Sequence, residues 1–105
     1  MDDAQFDSAA SAALQAIERA LEASGVDADF QTKEGGVLEI EFADGSKIIV
    51  NRHSAAKEIW VAARSGGFHF AHRDGRWLDT RSGGEFFASL AKITALQAGE
   101  TLDFG

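Results

Sequence analysis

Six short segments that alternate apolar and polar residues lie between two segments with helical periodicity. The alternating segments are separated by turn signals such as Asp44-Gly45 and Gly66-Gly67. Alternation is typical of strands, and short links favour hairpins, because parallel strands need crossovers of about a dozen residues. The pattern therefore predicts an antiparallel sheet of five to six strands that follow one another in order.

The helical segments at the two ends are amphipathic. Residues 3–24 repeat apolar side chains at helical spacing and stop at Gly25. The second segment starts with Ser82 to Glu85, a Ser-x-x-Glu capping box, and runs to about Gln97. A helix with one apolar stripe must bury that stripe against another layer. We therefore predict an α+β fold, a two-layer α/β sandwich with both helices packed on one face of the sheet, which leaves the opposite face to solvent or a partner.

The length of 105 residues allows one hydrophobic core but not two. The 45% hydrophobic and 26% charged residues are typical of a soluble globular protein, and no apolar run approaches the about 20 residues of a membrane helix. The absence of cysteine removes disulfides and thiolate chemistry, and the N-terminus is acidic where a secretory signal is basic. We expect a single domain, residues 1–105, located in the cytoplasm.

The negative charge is concentrated in the first part of the chain. The net charge is −7, but residues 1–44 hold eleven acidic and two basic residues, whereas residues 45–105 hold six acidic and eight basic ones. Such a negative surface repels nucleic acid and anionic membranes, so we expect neither as a partner. It attracts metal cations or a basic protein surface, although acidity also serves solubility alone.

Five acidic residues are expected to share one surface, three on the first helix beside its apolar stripe and two on the edge of the first strand. They are Asp7, Glu18, Glu22, Asp27 and Asp29. Glu18 and Glu22 are four residues apart with no lysine between them, near the helix end where the macrodipole is already negative. This crowding destabilises the helix by roughly a few tenths of a kcal/mol, which favours the interpretation that the two glutamates serve a function.

Exposed carboxylates suit hard or borderline cations such as Fe2+, Fe3+, Mn2+ and Ca2+. Since these groups do not converge in a cavity, we expect weak binding at several alternative positions. The chain has no EF-hand loop, no Glu-x-x-His and no His-x-x-x-His motif for a closed metal centre. A solvated helix face without a ligand is the alternative interpretation.

The alternation of the fourth strand turns a large aromatic side chain to the uncovered face of the sheet. If the β-branched residues on either side of Trp60 face the helices, Trp60 faces away, and Asn51 of the third strand joins it. An exposed tryptophan is typical of an interface with a partner. The alternative is that Arg52, Arg64 or a loop covers the ring.

No arrangement of residues indicates catalysis. His69 and His72 are three residues apart and point to opposite faces of a strand, and His53 is predicted to lie in a polar loop. There is no Gly-x-Ser-x-Gly nucleophile motif, and the glycine pairs lack phosphate-loop spacing. We therefore predict that the protein is not an enzyme.

Four blocks of the sequence resemble the signature of the bacterial frataxin (CyaY) family. They are residues 44–52 (DGSKIIVNR), 59–62 (IWVA), 66–70 (GGFHF) and 79–83 (DTRSG). The resemblance extends over essentially the whole chain. It implies a non-catalytic frataxin-like sandwich that binds iron on the first helix and the first-strand edge and modulates iron–sulfur cluster assembly.

The resemblance also assigns residues and partners. An acidic ridge would bind iron weakly, as Fe2+ or Fe3+: Asp3, Asp7, Glu18, Glu22, Asp27 and Asp29. Asn51, Arg52 and Trp60 would lie on the sheet surface that faces a partner. The implied partners are a cysteine desulfurase and the iron–sulfur scaffold protein. We expect a monomer, with any oligomers depending on iron.

Three positions depart from the most acidic ridges of that family: Arg19, Ala23 and Lys33. Because Arg19 can pair with neighbouring carboxylates, we expect weaker iron binding than on a fully acidic ridge. Two other functions stay open on the residues alone. One is ferroxidase-type oxidation of Fe2+ or acid–base hydrolysis, which requires a pocket of carboxylates with separated pKa values. The other is an acidic adaptor with no metal role.

Overall fold

Six antiparallel strands, preceded and followed by a helix, make up the computed structural model, which describes residues 1–99. The elements are α1 (Asp3–Ser24), β1 (Ala28–Lys33), β2 (Val37–Phe42), β3 (Lys47–His53), β4 (Glu58–Ala63), β5 (Gly66–Arg73), β6 (Arg76–Asp79) and α2 (Phe86–Ala98). Each strand pairs with its neighbours in sequence, so the spatial order is β1 to β6. The predicted α+β two-layer sandwich is confirmed. Residues 100–105 of the predicted domain lie outside the described residues.

The first helix has the predicted bounds because local signals define both of its ends. The Gln5 N–H donates to the Asp2 carboxylate at 2.7 Å, and the Asp2 N–H donates to the Gln5 side-chain oxygen at 2.9 Å, which forms a capping box. Gly25 follows the last turn with a φ of 73°, a left-handed conformation that glycine adopts without steric cost. The residues that α1 buries are Phe6, Ala10, Ala13, Leu14, Ile17, Ala20 and Leu21.

The second helix is capped three residues later than its sequence predicts. Its N-cap is Glu85, whose carboxylate accepts hydrogen bonds from two backbone N–H groups of the first turn at 2.9 and 3.0 Å. The prediction that Ser82 caps the helix is wrong, because its hydroxyl accepts from the Gly84 N–H inside a turn that the Asp79 carboxylate organises. Gly99, with a φ of 72°, ends the helix as predicted.

The hairpin between β3 and β4 is tighter than predicted. The prediction that His53 lies in a loop is wrong, because β3 continues through His53, which pairs with Glu58. Only residues 54–57 form the connection, closed by a hydrogen bond from the Lys57 N–H to the Ser54 carbonyl at 3.2 Å. The polar side chains at the end of β3 are partly exposed to solvent, but they still belong to the strand.

One face of the sheet packs against both helices and holds the core. Its buried residues are Leu38, Ile40, Phe42, Ile48, Val50, Ile59, Val61, Phe70 and Trp77. Phe6 of α1 contacts Trp77 edge to face with ring centroids 5.9 Å apart, and Phe70 contacts Phe86 of α2 in the same way at 5.0 Å. These contacts attach each helix to the β5–β6 side of the sheet. Within residues 1–99 no helix lies on the opposite face, which we call the open face.

The turn between β2 and β3 carries a carboxylate with three hydrogen-bond donors. Asp44 accepts from the Ser46 hydroxyl at 2.6 Å, from the Ser46 backbone N–H at 2.9 Å and from the Arg64 guanidinium at 3.0 Å. The Ser46 hydroxyl, followed by the Ser46 N–H and Arg64, lowers the pKa of Asp44 from 3.8 to about 2. Ionised Asp44 therefore stabilises the hairpin.

We expect the stability from Asp44 to be lost in acid. Because its folded pKa is depressed, the contribution is present above about pH 4 and disappears as the pH falls through about 2. Replacing Ser46→Ala removes the largest cause of the shift, so the variant should be destabilised most at about pH 5 and approach the wild type at about pH 2. Urea unfolding across this range measures the difference, with Ser8→Ala, an exposed serine on α1, as the control. A Ser46→Ala deficit that does not change with pH would contradict the assignment.

Candidate functional site: an acidic helix and an open sheet face

The second half of α1 carries two carboxylates that no basic side chain neutralises in the described part of the chain. The partly buried Glu18 accepts a hydrogen bond from the Thr32 hydroxyl of β1 at 2.9 Å. Glu22, one turn further, is exposed and forms no hydrogen bond or ion pair within residues 1–99. Arg19 is exposed and likewise forms no ion pair there, so it does not neutralise either glutamate by direct contact. Two negative groups thus lie side by side at the negative end of the helix dipole.

The first turns of α1 are different, because basic residues from the β3–β4 hairpin neutralise their carboxylates. Lys57 Nζ lies 2.6 Å from the Asp3 carboxylate, and Arg52 Nη2 lies 2.9 Å from the Asp7 carboxylate. The hydrogen bond from Lys57, together with its charge, lowers the pKa of Asp3. Asp3 and Asp7 of the expected acidic ridge therefore already have basic partners, while their contact with iron stays a prediction. Both pairs are exposed enough for water and salt to screen them.

The remaining ridge residues, Asp27 and Asp29, lie at the β1 edge of the sheet. Asp27 is in the link that precedes β1. Asp29 is exposed and directly opposite Glu41 in the register, so both side chains point to the open face. Like charges in this position are mutually unfavourable. Lys33 does not reduce this charge, because its ammonium contacts Glu39 on β2 at 2.9 Å.

The six predicted ridge residues therefore occupy three places: a neutralised helix start, an un-neutralised second half of the helix and a strand edge. Within residues 1–99 no three histidine or acidic side chains are close enough together to hold a metal ion. Each place holds two of the six carboxylates. Such positions suit a hard cation that keeps most of its water ligands.

The open face carries an aromatic stack centred on Trp60. In the sheet register Trp60 pairs with Asn51 of β3 and with His69 of β5. The His53 ring stacks on one face of the indole with centroids 3.9 Å apart, and the His69 ring stacks on the other at 4.3 Å. The indole N–H donates to the Glu58 carboxylate at 2.7 Å. The predicted orientation of Trp60 and Asn51 is confirmed, while their contact with a partner stays a prediction.

Arg52 does not lie on the open face with Asn51 and Trp60. Its register partner is the buried Ile59, and its guanidinium donates to the Ser11 hydroxyl at 2.6 Å as well as to Asp7. The expected placement of Arg52 on the partner-facing sheet surface is therefore wrong, since neighbouring strand residues point to opposite faces. Arg52 instead joins β3 to α1. It does not cover the Trp60 ring.

Three residues beside Trp60 were not predicted as part of a site: His53, Glu58 and His69. Alternation places Glu58 and His69 on the same face as Trp60, so this signal was present in the sequence. The position of His53 depends on β3 continuing past Asn51, which the polar sequence did not indicate. The candidate site therefore consists of two surfaces, an acidic one on α1 and the β1 edge and an aromatic one on the open face.

Comparison with known proteins shows the family of the chain. The frataxin-like domain family matches residues 1–100. The chain is 57% identical over 102 residues to the "Iron-sulfur cluster assembly protein CyaY" of Dechloromonas aromatica (strain RCB), covering 97% of each chain. It is 50% identical over 104 residues to the protein of the same name from Paraburkholderia xenovorans (strain LB400), covering 99% of this chain and 98% of the relative.

The solved structure of frataxin from Psychromonas ingrahamii superposes with a TM-score of 0.93 at 35% identity and covers 100% of this chain and 99% of that one. The chain belongs to the bacterial frataxin (CyaY) family. Neither described helix combines the length and the apolar character that crossing a membrane would require.

Proposed function

We propose that this protein is a non-catalytic regulator of iron–sulfur cluster assembly that binds iron weakly on α1 and the β1 edge. The name of its relatives, iron–sulfur cluster assembly protein, supports the pathway. The observation that carries the iron role is the Glu18–Glu22 pair, two carboxylates one turn apart without a basic partner in residues 1–99. Carboxylates of this kind hold a hard cation loosely and release it easily, which suits iron as a cargo.

The partners we propose are the cysteine desulfurase and the iron–sulfur scaffold protein. The acidic first part of the chain favours a basic surface on the partner, and charge complementarity of this kind speeds association. The open face with Asn51 and Trp60 supplies the contact area. We assign Arg52 to holding α1 on the sheet through Asp7 and not to this contact. The protein would act in the cytoplasm as a monomer, with any oligomers formed in the presence of iron.

A titration of one labelled sample tests this function. Anaerobic Fe2+ added to 15N-labelled protein should broaden the amide signals around Glu18 and Glu22, and the desulfurase added next should shift signals of α1 and of the open face. The matched variants Glu22→Gln and Asp7→Asn each remove one negative charge from α1. We expect Glu22→Gln to weaken Fe2+ broadening severalfold, and Asp7→Asn to change it by less than about twofold, because Arg52 already binds Asp7. Equal effects of the two variants would contradict a binding position at the un-neutralised glutamates.

An acidic adaptor with no metal role is the second candidate. It is favoured by the neutralisation of Asp3 and Asp7 and by the separation of the acidic groups, which gather no set of three ligands in residues 1–99. This function predicts that the desulfurase shifts the signals of α1 while Fe2+ leaves them sharp. The same titration therefore decides between the two candidates.

A further inference from the structure

The way in which Trp60 is held determines what can bind to it. Strands β3 and β5 flank β4, so His53 and His69 approach the indole from opposite sides. The interplanar angles are only 13° and 7°, which means that each imidazole lies flat on one face of the indole ring. Both faces of the aromatic system are therefore occupied by the protein itself.

Glu58 restrains the indole ring of Trp60 further through a hydrogen bond. Its Oε1 atom accepts the indole N–H at 2.7 Å and lies 3.6 Å from Nδ1 of His69. The side chain of Glu58 is only 22% exposed, so this hydrogen bond is partly shielded from water. Trp60 thus has its two faces and its single donor engaged within the domain, and little freedom is left to lose when a partner binds.

These contacts exclude several ways of binding. An aromatic ring or nucleobase that stacks on the indole, or an arginine placed over it, needs a free π face, and neither face of Trp60 is free. A hydrogen-bond acceptor on the partner finds the indole N–H already donated. What Trp60 still offers is the carbon edge of the indole, on the side turned away from Glu58.

The surface next to that edge is shallow and has small apolar residues at its centre. The next residue of β4 on the open face is the exposed Ala62, which pairs with Ile49 on one side and Gly67 on the other. A Cβ placed on Gly67 would meet no atom within 4 Å, so nothing stands above this position. An open depression of about 490 Å³ is lined by the apolar side chains of Ile49, Ala62 and Ala63, with polar and charged residues around them: Ser46, Lys47, Arg64 and Gln97. Small side chains beside the taller stack leave room for a side chain from outside.

We propose that His53, Glu58 and His69 are positioning residues that hold Trp60 edge-on, so that the open face receives an aliphatic side chain of a partner protein against the indole edge and Ala62. This proposal rests on the proposed function, since the partner is the desulfurase–scaffold complex of iron–sulfur assembly. It specifies the partner's chemistry: leucine, isoleucine, valine or methionine at the contact, and no stacking group.

Affinity for the desulfurase–scaffold complex tests the role of the stack. His53→Ala and His69→Ala should each weaken binding about two- to tenfold, and the double variant more, because each removes one stacked ring. His53→Phe and His69→Phe keep a flat ring on the indole and should bind within about twofold of the wild type. Ala62→Arg should block the depression and weaken binding at least about tenfold, whereas Ala88→Arg, a matched change at an exposed alanine of α2, should not.

Exchange of the Trp60 indole N–H with solvent tests the geometry without a partner. Glu58→Leu should speed this exchange about tenfold, and Glu58→Gln, which keeps an acceptor, should change it much less, with the buried Trp77 indole as internal reference. Unchanged exchange in Glu58→Leu would overturn the positioning role even if no partner bound.

The binding outcomes separate this inference from the proposed function. Wild-type protein that fails to bind the complex overturns both. Wild-type protein that binds, with Trp60→Ala weakened but the two histidine-to-alanine variants unaffected, overturns only the positioning role. Phenylalanine variants as weak as the alanine variants overturn it as well, because the imidazole nitrogens would then be contacting the partner.

Discussion

Charge reversal of Glu18 and Glu22 to lysine is expected to slow association with the desulfurase at least about tenfold at low ionic strength. The two residues supply negative charge that no basic side chain in residues 1–99 neutralises, and reversal replaces it with positive charge facing a basic partner. Salt screens such charges over about 10 Å at 0.1 M, so the difference should shrink to about twofold at about 0.5 M. Stopped-flow or surface-binding kinetics at several salt concentrations measures it, and the same variant should lose the Fe2+ effects on α1.

A pair of variants with equal net charge separates the site from the overall charge. Glu18→Gln with Glu22→Gln raises the net charge by two units at the site, and the control, Ala88→Lys with Leu96→Lys on the exposed side of α2, raises it by two units elsewhere. We expect the first pair to slow association clearly more than the second. Similar rates for both pairs would mean that overall charge, and not α1, guides the encounter.

Replacement of Phe6 by alanine is expected to destabilise the fold by about 3–5 kcal/mol. Phe6 is fully buried and contacts Trp77 edge to face, so its removal leaves a cavity between α1 and the sheet. Native domains are stable by about 5–15 kcal/mol, and the loss would bring this one close to unfolding at room temperature. Urea unfolding followed by circular dichroism measures the change.

Leu96→Ala serves as the comparison for Phe6→Ala. Leu96 is 78% exposed on α2, so its truncation should change stability by no more than about 0.5 kcal/mol. A loss of less than about 1 kcal/mol for Phe6→Ala would show that α1 contributes little to the core as packed here.

Most of the fold could be predicted because its signals are local. The bounds of α1 follow from a helical stripe and from Gly25, and the β2–β3 hairpin follows from alternation around Asp44-Gly45. The errors occurred where two local structures compete for the same residues. The Ser82 hydroxyl can cap a helix or close a turn. The Asp79 carboxylate accepts hydrogen bonds within the turn and so stabilises the second arrangement.

The site could be predicted only in part, because its contacts join distant parts of the chain. The ion pair between Asp7 and Arg52 joins residues 45 positions apart, and no local sequence pattern predicts it. Alternation along β3 places Arg52 on the same face as the inward-facing Ile48 and Val50, so the sequence pattern alone predicts the correct face of the sheet. The family resemblance, in contrast, implied that Arg52 lies on the partner-facing surface. The exposure of Glu22 could be predicted from helix spacing, whereas the lack of a basic partner could not, because Asp3 and Asp7 are exposed on the same helix and do have one.

The order of the strands has a consequence for how the domain folds. Because every strand pairs only with strands next to it in sequence, each hairpin closes a short loop, and the entropy lost at each step stays small. The sheet can therefore assemble one hairpin at a time from either end. Contacts that join distant residues form when the helices dock on the sheet, such as Phe6 with Trp77 for α1 and Gln97 with Lys47 for α2. The attachment of the helices is therefore the step that should limit the folding rate.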